Sequence, residues 1–366
     1  MRPARRERTP RCIMIRMFAP DRDRPDPAAL QELCDLLGSR AEATASKGPW
    51  RSGCFADLAR SGVLAGFVPA DQGGTVAPEP AVIHALVAIA GRCLTTALAL
   101  TQWAAAVRII STAPADVRDD MLPALARGDR LTTVGISQLT TSRRHLAAAA
   151  LVAARDGDTW RLDGLCPWVT GADASDTIVT GAACADGGQM FFVVPTAAGG
   201  LTIDPPLSML ALGGSRTSVV RFAGVRPRCA IAAAAGGGVR TGGLATTALA
   251  VGAARASAAV IAREATSRAG LASIAAGFAT EIDAVAERLT AASGGGIEAA
   301  DRDRLRADAN GVVVRAAQAA LTASKGAGFV AGHPVERLVR ESLFFLVWSC
   351  PQPVSDAVLC DLVSSD

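Results

Sequence analysis

The apolar residues of this 366-residue chain repeat with a helical period, then a strand period, then a helical period again. Helical spacing runs to about Leu131, short strand candidates follow, and long helices resume after the glycine-rich segment 232–243. Runs of one element type predict consecutive segments rather than alternating strand–helix units. We therefore predict an α+β fold that is mainly α, with its strands in a middle antiparallel sheet or barrel.

The changes of period also place the predicted boundaries. Residues 1–25 are basic and lack periodicity, which predicts a flexible tail, with a membrane-surface role as the alternative. We predict a helical domain at 26–130, a β domain at 131–236 and a second helical domain at 237–366. The predicted helices are 27–37, 54–61, 80–90, 94–112, 119–126, 244–268, 274–292, 299–323, 334–348 and 355–362, and the predicted strands are 131–137, 148–153, 159–163, 177–180, 190–194, 201–203 and 218–222.

Composition narrows the classes of function. Half of the residues are apolar (50%), which is enough for a large core, and the net charge of +3 argues against a nucleic-acid partner. The most apolar run, 244–261, contains Arg255, so we predict a buried helix there and no membrane span. The nine cysteines form no CxxC pair and no signal peptide precedes them, which predicts reduced thiols in a cytoplasmic protein. The three histidines lack metal-ligand spacing, so no metal site is expected.

The stretch 156–181, DGDTWRLDGLCPWVTGADASDTIVTG, carries the clearest chemistry. It reads as two short strands joined by a tight turn, with Trp168 between them. An indole can cover one face of a flat cofactor. The hydroxyl of Thr170, two residues further on, can form a hydrogen bond with the cofactor's edge. The alternative interpretation is a core aromatic residue followed by an ordinary strand residue.

Five segments, from about Leu30 to the end of the chain, resemble those of the acyl-CoA dehydrogenase family of flavoproteins and occur in the same order. They are LARSGVLAGFVPADQGG, MLPALARGDRLTTVGIS, LDGLCPWVTGADASD, LGGSRTSVVRFAGVRP and KGAGFVAGHPVERLVRESLFFLVW. The resemblance implies an N-terminal helical domain, a middle β domain and a C-terminal four-helix bundle. It also implies FAD between the β domain and the bundle, in a homodimer or homotetramer whose neighbouring subunit completes the FAD site.

The resemblance assigns roles in cofactor binding to several residues. Trp168 would flank the isoalloxazine, and Thr170 would offer its hydroxyl to the N5 edge. Ser137 and Gln138, together with Ile136, match the strand segment that binds the flavin pyrimidine, although Gln138 replaces an acid.

Three further positions match the family's contacts to the rest of FAD. Arg268 matches an arginine that meets the pyrophosphate from the partner subunit, a task that suits a guanidinium fork. A solvated arginine near a helix end is the alternative. Gly326 and Gly328 match a loop that lets the backbone approach the cofactor, although Lys325 stands where the family has the first glycine of that loop.

The substrate side departs from the family pattern. The segment QLTTSRR, 138–144, stands where the family has a glycine-rich acidic loop. Ser142 and Arg143 are candidates for contact with a phosphate or a carrier, and a solvated surface pair is the alternative.

The family's proton-abstracting glutamate is replaced. Its usual position holds Ser349, and the family's other position for this glutamate falls near Gly242 or Gly243, none of which accepts a proton at neutral pH. Cys350 is a candidate nucleophile or base, although a buried free cysteine is usually inert. Glu341 is also near, but the family analogy makes it structural. The catalytic residue is therefore unknown from the sequence.

The resemblance implies an FAD-dependent oxidoreductase that oxidises an acyl thioester, CoA- or carrier-bound, or a related compound across Cα–Cβ. Hydride would pass to flavin N5 and then to an electron-transfer acceptor. A flavin-dependent monooxygenase or oxidase on the same fold is the first alternative, because such enzymes do not need the missing glutamate. A catalytically degenerate homologue that acts as a subunit partner is the second.

Overall fold

The computed structural model describes residues 17–19, 21–48, 50–140, 149–233, 243–348 and 351–362. Helices come first, as the sequence predicts. They are α1 (Pro27–Ser39), α2 (Ala41–Lys47), α3 (Phe55–Arg60), α4 (Glu79–Ala90), α5 (Leu94–Ile110) and α6 (Ala115–Arg127). The start of α1 shows why the chain turns helical there: the Asp26 carboxylate accepts a hydrogen bond from the Ala29 amide at 2.9 Å, and Pro27 occupies the first helical position.

The tail prediction is wrong for Met17 and Phe18, which are both buried. The Asp26 amide donates to the Met17 carbonyl at 2.8 Å, which holds this segment against α1. The Phe18 ring packs on Gly66, where an added Cβ would lie 2.4 Å from a ring carbon. Residues 1–16 of the predicted tail lie outside the described residues.

The middle of the chain forms one eight-stranded sheet and a short helix. Its elements are β1 (Thr132–Gly135), α7 (Ser137–Thr140), β2 (Leu151–Asp156), β3 (Thr159–Val169), β4 (Thr177–Cys184), β5 (Gln189–Pro195), β6 (Leu201–Ile203), β7 (Ser218–Val225) and β8 (Cys229–Ala232). The order is β6-β7-β3-β2-β4-β5-β8, with β1 paired to β4. Most pairs are antiparallel, but β1 and β2 both run parallel to β4, so the sheet is mixed.

The second run of helices comprises α8 (Leu244–Ala265), α9 (Ala272–Ser293), α10 (Ala299–Ser324), α11 (Pro334–Ser342) and α12 (Gln352–Leu362). Several predicted boundaries change, and α2 occupies residues that were assigned no helix. The first predicted strand stops at Gly135 and α7 begins at Ser137; β8 occupies residues assigned no strand; and α11 ends at Ser342, where a 3-10 turn, Leu343–Leu346, replaces the predicted helix.

The helices of both runs share one buried apolar cluster, while the sheet has a second cluster of its own. Helices α4 and α8 approach closely because Gly252 has no side chain: an added Cβ would lie 2.3 Å from the Val87 carbonyl oxygen. Trp103 of α5 is fully buried in the shared cluster. This packing places α5 beside β1 and the sheet, where the cavity described below is found.

Within the part of the chain that the structure describes, two helical segments are long and apolar enough to cross a membrane by length and composition. One is α8, most of which is buried, so the protein core accounts for its apolar residues. The other, Ala269–Ser293, includes α9 and is mostly exposed.

Candidate functional site

Trp168 faces outward because of a β-bulge. The sequence predicted that this residue lies between two short strands, but β3 runs on to Val169 and contains it. Cys166 pairs with Val220 and Val169 with Ser218, so β3 carries one extra residue at this point. Cys166 and Val169 both point into the core of the sheet, and the bulge leaves Trp168 on the other side, 49% exposed.

A cavity of about 880 Å³ lies in front of Trp168. It brings together residues from α5, the end of β1, the start of α7, the end of β3, the segment 207–217, α11 and the turn that follows α11. The lining residues are Leu98, Gln102, Val134, Ile136, Ser137, Trp168, Thr170, Leu207, Ser208, Met209, Leu210, Ala211, Thr217, Arg340, Leu343, Phe344, Leu346, Val347 and Trp348. Most of these side chains are apolar, and a few polar groups converge among them, as is typical of small-molecule sites.

Buried hydroxyl groups form a short chain beside Trp168. The hydroxyl oxygens of Thr170 and Thr217 lie 3.1 Å apart, and that of Ser215 lies 2.9 Å from Thr217. The backbone fixes this arrangement, because the Gly171 amide donates to the Ser215 carbonyl at 3.0 Å and the Thr133 hydroxyl donates to the Thr170 carbonyl at 2.7 Å. Since hydroxyl groups both donate and accept, the chain can adapt to a polar ring edge.

Of the two residues predicted to bind the flavin pyrimidine, one lines the cavity and the other does not. Ser137 lines the cavity, whereas Gln138 is not among the lining residues. The side-chain amide of Gln138 is buried and donates to the carbonyls of Gly181 at 2.7 Å and Gly135 at 3.4 Å. The structure therefore directs the Gln138 side chain into the sheet rather than towards a ligand.

Arg268, Gly326 and Gly328 form a second group, apart from the cavity. The Arg268 guanidinium contacts Glu264 and the Ala323 carbonyl, which joins the end of α8 to the end of α10. Gly326 is exposed and has open space around it. Gly328 is buried, and an added Cβ there would lie 2.8 Å from the Ser324 Cβ.

Arg340 is the one charged side chain among the described residues that line the cavity. It donates to the Leu210 carbonyl at 2.9 Å and to the Glu336 carboxylate, and the hydrogen bonds that this carboxylate accepts raise the pKa of the guanidinium. The pair fixes the ionised Arg340 side chain at the cavity wall. No carboxylate or imidazole belongs to the described lining.

Glu341 lies outside this cavity. It is buried and pairs with Arg337, with an oxygen–nitrogen distance of 3.1 Å. Burial raises the pKa of the Glu341 carboxyl, and the Arg337 guanidinium opposes that shift. The contacts support the structural role that the family analogy gave this residue.

Several predicted residues lie outside the described residues: Ser142, Arg143, Gly242, Ser349 and Cys350. Gly243 is described, and it precedes the first turn of α8 with extended backbone. Nowhere in the described ranges do three histidine, cysteine or acidic side chains form a group that could hold a metal ion.

The cavity also contains residues that the sequence did not identify. Gln102 is the one side-chain amide among its described lining residues, and its own side chain donates to the Thr101 hydroxyl at 3.1 Å. Phe344 and Trp348 stack with ring centroids 5.0 Å apart and form an aromatic wall. Gln102 is the one amide side chain of a mainly apolar helix, which was a usable signal. The meeting of Thr217 with Thr170, by contrast, depends on the tertiary structure.

Comparison with solved structures finds close likeness along nearly the whole chain. FkbI, for biosynthesis of the methoxymalonyl extender unit of the polyketide immunosuppressant Fk520, is 22% identical with a TM-score of 0.77, covering 91% of this chain and 98% of that one. A glutaryl-CoA dehydrogenase from Mycobacterium smegmatis, in complex with FADH2, is 18% identical with a TM-score of 0.76, covering 95% and 99%. Butyryl-CoA dehydrogenase from Megasphaera elsdenii is 18% identical with a TM-score of 0.75, covering 91% and 98%.

These likenesses establish the fold. The chain has the acyl-CoA dehydrogenase fold, as the five sequence segments indicated. No family model and no curated protein matches the chain. At identities of 18 to 22%, the comparisons show the shared fold and leave the reaction open.

Proposed function

We propose that the chain is an FAD-dependent oxidoreductase of the acyl-CoA dehydrogenase type. It would oxidise an acyl thioester, CoA- or carrier-bound, or a related compound across Cα–Cβ. The observation that carries the proposal is the meeting of Trp168, Thr170 and Ser137 in one cavity. The names of two structural neighbours, a butyryl-CoA dehydrogenase and a glutaryl-CoA dehydrogenase, suggest the thioester class.

The described residues fit a flavin ring. The cavity volume of about 880 Å³ lies within the range of small-molecule sites, roughly 300–1,000 Å³. The half-exposed indole of Trp168 offers a flat apolar face that a planar ring would cover. Thr170 and Ser137 supply hydroxyl groups at the edge of the cavity. When bound, FAD supplies a hydride acceptor at its N5 atom.

The chain's own residues would orient the reactants. Trp168 would hold one face of the ring, and the hydroxyls of Thr170 and Thr217 would meet its edge. Leu98, Phe344 and Trp348 would exclude water from the apolar part of the cavity, where an acyl chain can lie.

The remaining half of FAD would be reached through a second copy of the chain. Arg268 and Gly326 lie away from the cavity, so within one subunit they do not meet the proposed flavin position. Phe329, next to these glycines, is 81% exposed, and Val330 beside it is also exposed. We therefore propose a homodimer or homotetramer in which Arg268 of one subunit approaches the pyrophosphate bound by its neighbour.

A flavin-dependent monooxygenase or oxidase is the second candidate. The observation that favours it is the absence of any carboxylate or imidazole from the described cavity lining. Abstraction of an α proton from a thioester needs a base, which the family supplies as a glutamate. Oxygen chemistry at a flavin does not need this base. A degenerate homologue that serves as a subunit partner is the third candidate, and the same observation favours it.

The free thiols of the described cysteines are consistent with a cytoplasmic location.

The absorbance spectrum of the purified protein, before and after anaerobic addition of acyl thioesters, separates these candidates. A bound-flavin spectrum that bleaches supports the dehydrogenase. A flavin that stays oxidised with thioesters but turns over with dioxygen and an external reductant supports the monooxygenase or oxidase. Protein that carries no flavin and gains none on adding FAD contradicts both.

A further inference from the structure

Cys166 lies directly behind the wall of the cavity. Its side chain is fully buried on the inner side of the bulge that turns Trp168 outward. The thiol donates a hydrogen bond to the side-chain oxygen of Gln138, with a sulfur–oxygen distance of 2.9 Å. Neither residue lines the cavity, yet each is next in sequence, or next but one, to a residue that does.

The amide of Gln138 is held in one orientation. Its nitrogen donates to the Gly181 carbonyl of β4 at 2.7 Å and to the Gly135 carbonyl of β1 at 3.4 Å. An amide nitrogen offers two donors and the oxygen only accepts, so the oxygen must face the Cys166 thiol. The side chain therefore ties α7 to β1, β3 and β4 behind the cavity.

The Cys166 thiol is protonated and acts as a hydrogen-bond donor behind the cavity wall. Burial raises the pKa of this thiol to about 12, while hydrogen bonding from the Trp168 backbone and from the side chain and backbone of Ser137 opposes that shift. The thiol stays protonated at neutral pH and is therefore a donor and a packing group rather than a nucleophile. The geometry places this thiol against the Gln138 side chain, at 2.9 Å, between the strand that carries Trp168 and the short helix that begins at Ser137.

We propose that Cys166 and Gln138 are positioning residues for the cavity wall: their contact fixes the Ser137 hydroxyl relative to the Trp168 indole. The two groups would then meet a flavin ring in a set geometry, which determines the affinity and the absorbance of the bound flavin. This inference rests on the proposed function. It assigns a role to two buried residues that do not touch the cofactor themselves.

The neutral character of the pair follows from its surroundings. Gln138 Nε2 faces the carbonyls of Gly135 and Gly181, so a carboxylate at position 138 would place acceptor against acceptor in a buried site. A thiol suits position 166 because Gly135 lies close by: a Cβ added there would stand 3.1 Å from the sulfur. A larger donor than a thiol would displace β1, which carries Val134 into the cavity lining.

The test compares Cys166→Ala, Cys166→Ser, Gln138→Met and the double variant C166A/Q138M. The matched control is Cys229→Ala, because Cys229 is a half-buried thiol of the same sheet that lies away from the cavity. The readouts are the dissociation constant of FAD, from fluorescence titration, and the band positions of the bound flavin. A melting temperature measured without FAD reports any purely structural effect.

We expect C166A to weaken FAD binding roughly tenfold, because the buried Gln138 oxygen loses its donor, and to shift the flavin bands. C166S keeps a donor, so it should stay within about threefold of wild type. The double variant should lose less than the product of the single losses, because the two residues act as one unit. C229A should bind FAD as the wild type does.

Two results overturn the inference alone. One is wild-type FAD affinity and flavin bands in C166A, even where its melting temperature falls. The other is equal loss in C166A and C166S, since the donor would then be irrelevant. A wild-type protein that binds no FAD is a different result, because it contradicts the proposed function and the inference with it.

Discussion

The hydroxyl oxygens of Thr170 and Thr217 lie 3.1 Å apart although 47 residues separate them in the chain. The contact joins the end of β3 to the segment before β7 at the wall of the cavity. We expect Thr170→Val to weaken FAD binding roughly five- to tenfold, because the isosteric change removes one hydroxyl from the ring edge. Titration of FAD fluorescence measures this loss.

The control for that variant is Thr177→Val. Thr177 bonds the Thr132 hydroxyl at 3.0 Å in the same sheet but does not line the cavity. Equal FAD affinity in the two variants would mean that the Thr170 hydroxyl does not face the cofactor.

The backbone at Gly164 carries part of the sheet geometry. Its φ is +129°, and an added Cβ would lie 2.2 Å from the Ala150 carbonyl oxygen. We expect Gly164→Ala to lower the free energy of unfolding by about 3 kcal/mol, from backbone strain and the collision together. Urea denaturation gives this value.

Gly157→Ala is the matched change, since Gly157 has a φ of +62° and nothing lies near the added Cβ. Its cost should be about 1 kcal/mol, from the left-handed backbone alone. If Gly164→Ala costs no more stability than Gly157→Ala, the backbone at the start of β2 moves aside for the methyl group and the predicted collision does not occur.

Asp120 of α6 binds Arg228 at 2.6 Å and Arg130 at 2.9 Å, and these hydrogen bonds lower the pKa of its carboxyl. Because the pKa is lowered in the folded state, the carboxylate stabilises the protein at pH values above its unfolded-state pKa of about 3.9. This stabilisation is lost as the pH falls through the folded-state pKa. Asp120→Asn should therefore cost about 0.5–1 kcal/mol of unfolding free energy at pH 7, because the group is exposed.

The difference between wild type and the Asp120 variant should shrink as the pH is lowered below about 4. Urea midpoints at pH 7, 5 and 3.5 measure this difference. Asp129→Asn is the control, since its partner Arg127 is only two residues away. A difference that grows on acidification would contradict the assignment.

The loop after α10 contains two glycines in different surroundings, the buried Gly328 and the exposed Gly326. Gly328 is buried, and an added Cβ would lie 2.8 Å from Ser324 Cβ, so Gly328→Ala should lower the melting temperature. Gly326→Ala meets no neighbour within the subunit, so it should leave the melting temperature of the FAD-free protein unchanged. If the loop approaches FAD in a neighbouring subunit, Gly326→Ala should still weaken FAD binding, roughly fivefold. Unchanged binding would remove Gly326 from the cofactor site.

Much of the fold follows from local patterns. Asp26 and Pro27 mark the start of α1, and its apolar residues at helical spacing form a buried face. The long helices were located well, because each has a periodic stretch bounded by glycine, proline or polar residues. The short helices α2 and α7 were missed, because seven and four residues are too few to show a period. Turn glycines likewise separated most of the strands. The exceptions are the second half of β3, which continues through Gly164 to Val169, and the last strand, β8, whose four residues look like the beginning of the glycine-rich connector.

The site was harder to predict because tertiary contacts decide it. The direction of Trp168 depends on a bulge that shows only when β3 pairs with β7. Gln138 follows a cavity residue in sequence, yet its amide satisfies the carbonyls of two strands instead. Periodicity gives no information on such partners, since Gly181 is 43 residues away.

The most direct test of the central claim is an FAD titration of the purified protein, followed by flavin fluorescence. The wild type should bind one FAD per chain and quench its fluorescence, because the ring would stack on Trp168. Trp168→Ala should lose most of the quenching, whereas Trp160→Phe should not, since Trp160 packs on Arg155 outside the cavity. No FAD uptake by the wild type, or equal quenching in both variants, would contradict a flavin site at Trp168.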